Sequence, residues 1–101
     1  MSKFKFTKAA IQDLSSIWKY TLENWSEKQA DKYYQLIIFG CSELANKPTI
    51  GKSYCEIYPE LYGKIFSKHI IFYRKIDETT IETTRILHEE MDLKKNLEAK
   101  K

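Results

Sequence analysis

The apolar positions of this chain keep two different periods, and the change falls near Gly51. At the start, "KFKF" (residues 3–6) alternates polar and apolar side chains, the two-residue period of a strand. Thr7 follows and suits a helix N-cap, since its hydroxyl can accept an otherwise unpaired N–H of the first turn. Ile11, Leu14, Ile17, Trp18, Thr21, Leu22 and Trp25 then recur at steps of three and four, which puts them on one face of an amphipathic helix. Ser26 with Gln29 three residues on forms a capping-box pattern and predicts a second helix. In that helix Ala30, Tyr33, Tyr34, Ile37, Cys41, Leu44 and Ala45 keep the spacing, while Leu36, Ile38 and Phe39 add apolar area outside the stripe. Gly40 weakens the helix slightly and suits close packing. Pro48 and Gly51 end it. The helices follow each other almost directly, so they should pair as an antiparallel hairpin.

Beyond Gly51, "YCEIY", "GKIF", "HIIFYRKI" and "TIETTRIL" are rich in aromatic and β-branched residues. Turns are expected at Pro59-Glu60, Ser67-Lys68 and Asp77-Glu78, and such short connections imply an antiparallel meander. The predicted order is β-α-α-β-β-β-β. This is an α+β fold in which a helical hairpin packs on one face of a small curved, mainly antiparallel sheet. The other face is expected to stay available. In the strand around residue 72, Ile70, Phe72 and Arg74 share one face, and Ile71, Tyr73 and Lys75 the other. In the last strand Ile81, Thr83, Arg85 and Leu87 alternate with Glu82, Thr84, Ile86 and His88, and the pattern admits either set on the helix side.

Composition narrows the class. A chain of 101 residues with 43% hydrophobic and 14% aromatic residues is one globular domain, here residues 1–101 with a C-terminal tail from about residue 89. No apolar run approaches the ~20 residues needed to cross a bilayer, and "MSKFKFTKAA" lacks the apolar stretch of a signal peptide. A cytoplasmic location follows by default, with no membrane partner. Cys41 and Cys55 form no CxxC pair, sit in apolar or aromatic neighbourhoods, and read as small buried hydrophobes. With only His69 and His88 beside them, neither a metal site nor a cofactor is indicated. Of the 17 basic residues only Arg74 and Arg85 are arginine. A planar guanidinium suits bidentate bonding that lysine cannot copy. Those two positions are either structural ion pairs or contacts to a target.

Four stretches carry a resemblance across Phe6 to Leu97: "AAIQDLSSIWKYTLENWSEKQADKYY", "LANKPTIGK", "HIIFYRKID" and "RILHEEMDLKKNL". In this order and spacing the chain resembles the ParE family of bacterial toxins, within the ParE/RelE superfamily. The resemblance implies the toxin of a type II toxin–antitoxin module. It further implies a ParD-like antitoxin that wraps the toxin in a hetero-oligomer, and DNA gyrase as a target that is bound and stalled. RelE relatives share the fold but cut mRNA on the ribosome. Two positions depart from the family pattern: Lys52 stands where Arg is frequent after the "P..G" turn, and Tyr62 where Arg is frequent before the third strand.

An mRNA-cleaving toxin needs a proton acceptor, a charge clamp for the phosphate and a proton donor for the leaving oxygen. The candidates are Lys64, Lys68, Tyr73, Arg74, Arg85, His88 and Glu56, foremost Arg74, Arg85, His88 and Lys64. For a toxin that works by binding, Arg74, Arg85, His88 and Lys52 are the expected target contacts. His88 equally suits bonding loose backbone groups at a strand end. The apolar surplus of Tyr33, Tyr34, Ile38 and Phe39 is the expected antitoxin surface, joined by Met91, which would pin the tail to the core. Glu89, Glu90 and Asp92 would sit at the start of a tail helix.

Overall fold

The computed structural model describes residues 3–88. The expected Met91 contact and the tail helix therefore lie outside the described residues. Strand β1 (Lys3–Phe6) leads into helix α1 (Lys8–Asn24) and then α2 (Glu27–Asn46). A short 3-10 turn (Pro48–Ile50) follows, then β2 (Lys52–Ser53), β3 (Tyr62–Phe66), β4 (His69–Asp77) and β5 (Thr80–His88).

Both predicted helix starts are capped by side chains. Thr7 accepts from the Ala10 N–H at 3.1 Å, and Ser26 accepts from the Gln29 N–H at 3.1 Å. The hairpin is fastened by Trp18, whose Nε1–H donates to Asp31 Oδ1 at 3.1 Å. Gly40 brings α2 close to the sheet: a Cβ there would lie 2.9 Å from the Phe66 ring and 3.0 Å from Ile71 Cδ1.

The five strands lie in the order β1-β5-β4-β3-β2. Neighbours from β5 to β2 are antiparallel, and β1 runs parallel to β5 at the far edge. A parallel pair needs a long crossover, and here the helices and three further strands intervene. Under the helices lies a core of Leu14, Ile37, Cys41, Leu44, Ile71, Tyr73, Ile81 and Ile86. Each large aliphatic side chain buried there contributes roughly 1.5–3 kcal/mol.

The opposite sheet face departs from expectation. Ile70, Phe72 and Leu87 form a second core there with Leu61, and Tyr54 and Ile57 pack against it. "YCEIY" is not a strand, because its backbone folds back on itself. The N–H groups of Ile57 and Tyr58 both donate to the Tyr54 carbonyl, and the Tyr54 N–H donates to Leu61 O at 2.8 Å. Segment 54–61 thus straps the face that was expected to stay open, and it leaves Cys55 exposed rather than buried. The strap approaches closely at Gly63, where a Cβ would meet the Tyr54 ring at 2.9 Å.

The last strand holds a second departure. Phe72 pairs with Arg85 while the next residue, Tyr73, pairs with Thr83, so Thr84 is an extra residue in β5. Alternation resets there. Ile81, Thr83, Ile86 and His88 fall on the helix side, and Glu82, Arg85 and Leu87 on the strapped side. Neither parity set of the sequence pattern survives intact.

Candidate functional site

Beside the bulge, β1 covers only the first half of the β5 edge, ending opposite Thr83. The chain then turns into α1, and α1 side chains finish the edge. The Thr7 N–H donates to Thr83 O at 3.1 Å, and the Thr7 hydroxyl donates to Thr84 O at 2.7 Å. Asp13, six residues further on, accepts from the Ile86 N–H at 3.0 Å. The same carboxylate grips Arg85 in a two-pronged pair, Nε to Oδ2 at 2.6 Å and Nη2 to Oδ1 at 2.9 Å. The Arg85 side chain is only 10% exposed. Of the two roles left open for this arginine, the structure supplies the structural ion pair.

Arg74 behaves differently. Its Nε donates to Glu82 Oε1 at 2.8 Å across the β4–β5 ladder, yet 58% of its side chain stays exposed. Arg74 and Arg85 line one cavity of about 520 Å³, together with Tyr58, Glu60, Lys75 and Thr84 and the start of α1.

His88 lies in another place. On the helix side, its ring meets the His69 ring edge-on, with centroids 5.3 Å apart. His69 Nδ1 is 2.6 Å from the Tyr33 hydroxyl of α2, and that oxygen accepts from the Lys68 N–H at 3.3 Å. Burial, reinforced by His88, pushes the His69 imidazole down to about 4, while Asp13 acts the other way. The ring is neutral near pH 7 and, with Nδ1 unprotonated, accepts a hydrogen bond from the Tyr33 hydroxyl there. These groups line a second cavity of about 580 Å³, walled also by the exposed Tyr20 and Trp25. Sequence reading passed over His69 as a site residue. Its signal was its place opposite His88 in two adjacent strands.

The remaining candidates are dispersed. Lys64 pairs with Ile71 and so shares the helix side of the sheet. Tyr73 is buried and its hydroxyl, kept protonated by a pKa that burial pushes upward, is already committed to Pro48 O, which takes it away from a substrate. Glu56 lies exposed in the strap, and Lys68 exposed in the β3–β4 turn. Lys52 is exposed in β2 with its Nζ 5.3 Å from the Tyr54 ring centroid. Burial pushes the Cys41 thiol up to about 11, so it is not a nucleophile. Among the described residues no group of His, Cys, Asp and Glu is placed to hold a metal ion. Nor is any helix there long and apolar enough to cross a membrane.

The expected antitoxin surface divides. Ile38 packs partly against the core, and Tyr33 is half-buried and tied to His69. Phe39 is 59% exposed, with Leu36 three residues before it also outward, and Tyr34 is exposed on another flank of the helix. Next to α2, strand β2 pairs only with Tyr62 and Gly63. The outer edge of Lys64–Phe66 has no strand neighbour among the described residues, and Ile65 there is exposed.

Comparison with known proteins agrees with this architecture. Residues 4–93 match the family described as "ParE toxin of type II toxin-antitoxin system, parDE". The chain is 33% identical over 96 residues to Toxin ParE1 of Mycobacterium tuberculosis, covering 95% of this chain and 98% of that protein. It is 25% identical over 97 residues to Toxin ParE1 of Caulobacter vibrioides, covering 96% and 99%. A solved chain of the chromosomal ParDE toxin–antitoxin system from P. aeruginosa shares the fold, with a TM-score of 0.74 at 21% identity over 89% of this chain and 98% of that one. With two helices on a five-stranded sheet and a family match from residue 4 to residue 93, the chain belongs to the ParE toxin family of type II toxin–antitoxin systems.

Proposed function

We propose that this toxin acts by binding DNA gyrase rather than by cutting RNA, and that a ParD-like antitoxin neutralises it. One observation carries the choice between binding and cleavage. The candidate cleavage groups lie on opposite faces of the sheet, with Arg74 and Arg85 on the strapped side and His88 and Lys64 on the helix side. In-line phosphoryl transfer needs its acid, base and charge clamp around one phosphorus atom. Binding needs only a firm surface that favours one state of the partner.

The antitoxin reading rests on the outward pair Leu36 and Phe39 and on the outer edge of Lys64–Phe66, which has no strand neighbour among the described residues. An amphipathic helix can cover the first, and an extended segment can add a strand at the second.

The test is a supercoiling assay with purified gyrase, run beside a ribosome-dependent mRNA cleavage assay on the same toxin sample. Inhibited supercoiling with accumulated cleaved DNA, and intact mRNA, is the expected result. Codon-phased mRNA cuts with unimpaired supercoiling would replace this reading with RelE-like cleavage.

A further inference from the structure

We propose that the cavity at the Thr84 bulge receives one nucleotide of a DNA strand, with its phosphate on Arg74 and Lys75 and its base against Tyr58. The inference rests on the gyrase reading above, to which it adds a direct contact with the DNA that gyrase holds.

Four elements build the cavity: the start of α1, the strap at Tyr58–Leu61, and β4 and β5 beside the bulge. Its volume of about 520 Å³ is open enough for a nucleotide. The cation supply is local. Glu82 takes the Nε of Arg74 and fixes the plane of the guanidinium, while 58% of the side chain remains exposed. A guanidinium held in this way presents its remaining donors as a fork suited to phosphate oxygens. Lys75, which leaves β4 on the helix side opposite Ile81, also lines the cavity and is bound only loosely to Glu78, at 3.9 Å. Arg85 forms part of the wall, with Asp13 holding it in place.

Tyr58, 44% exposed and followed by Pro59, lines the same cavity. An exposed aromatic ring beside a backbone-tracking cation is the pairing that holds single-stranded bases, because every base offers a face to stack on. This favours a nucleotide over an acidic peptide, which would have no use for the ring. Among the described residues Glu60 is the one carboxylate that lines the cavity, and it sits on the strap beside Tyr58, where it opposes a phosphate placed on that side. The Arg74 and Lys75 side is therefore where the phosphate lies. The chain carries a net charge of +3, which adds a general attraction but selects no site.

The experiment measures binding of a fluorescein-labelled single-stranded oligonucleotide to the full chain by fluorescence polarisation, across a salt series. Arg74→Glu with Lys75→Glu is expected to weaken binding at least tenfold and to flatten its salt dependence by one to two phosphate contacts, and Tyr58→Ala to weaken it severalfold. Lys19→Glu with Lys28→Glu, the same charge change on exposed helix positions, is expected to alter binding less than twofold at matched salt. Circular dichroism checks that every variant is folded. Equal loss in both double variants would overturn the proposal, since attraction would then be general. So would poly-glutamate competing as well as the unlabelled oligonucleotide. Binding to gyrase without DNA is measured in parallel. A toxin that binds gyrase but no oligonucleotide overturns the cavity proposal alone. A toxin that binds DNA through Arg74 and Lys75 but not gyrase supports the cavity and overturns the gyrase reading.

Discussion

Asp13 holds Arg85 by two bonds, at 2.6 and 2.9 Å, and with the same carboxylate accepts the Ile86 N–H at the point where β1 no longer covers β5. One helix side chain thus closes a sheet edge and neutralises a nearly buried guanidinium. Removing one partner of such a pair leaves a charge and a backbone donor unmatched in a poorly solvated place. Asp13→Ala is expected to lower unfolding free energy by about 3 kcal/mol, read from urea denaturation. Adding Arg85→Met to that variant should recover part of the loss, because the stranded cation is then gone while the Ile86 N–H is still unpaired.

The His69 ring gives the fold a pH dependence of definite sign. Its pKa is about 4 in the native state and 6.5 as the ordinary value. Between those values the unfolded chain binds more protons, so stability is full above about pH 6.5 and falls as the pH drops towards 4. The groups facing the ring are the Tyr33 hydroxyl, His88 and, at longer range, Asp13. Solvent reaching the half-buried ring screens part of this effect, so the loss should be on the order of 1–2 kcal/mol across that window. His69→Gln should remove most of the slope, as measured by chemical denaturation at a series of pH values. An unchanged slope in that variant would transfer the effect to other groups.

Phe39 tests the antitoxin surface. Its side chain is 59% exposed on α2, so Phe39→Gln should change stability by less than about 0.5 kcal/mol. If the antitoxin covers the Leu36–Phe39 pair, the same change should weaken the toxin–antitoxin complex about tenfold, or roughly 1.4 kcal/mol, by titration calorimetry.

Gly40 is a packing test. A methyl group there enters the space of the Phe66 ring and Ile71. Overpacking costs about 1–3 kcal/mol, and removing glycine from a helix interior returns about 0.5–1 kcal/mol. Gly40→Ala should be destabilising by about 1 kcal/mol net, seen as a lower melting temperature. A stabilised variant would mean that the helix–sheet spacing relaxes at no cost.

Much of this architecture could be read from spacing. The caps at Thr7 and Ser26, the helix stop at Pro48, and the strands around Phe72 and Ile86 follow from local chemistry that acts over three or four residues. What escaped depends on distant partners. "YCEIY" has the composition of a strand, but the bare apolar face of Ile70, Phe72 and Leu87 draws it into a strap. Asp13 gave no signal, because its partners Arg85 and Ile86 lie more than seventy residues away. The site suffered most, since its layout depends on which way each β5 side chain points, and a period of two carries no warning of an inserted residue.

Thr84 therefore works as a phase switch for everything after it. Were that single residue held in step with the ladder instead of bulging out of it, the strand's end would turn over. Arg85 would be driven under the helical layer, Ile86 thrown out among the strap residues, and His88 parted from His69. The stretch "RILH" would still be spelled the same, but its letters would face the wrong rooms.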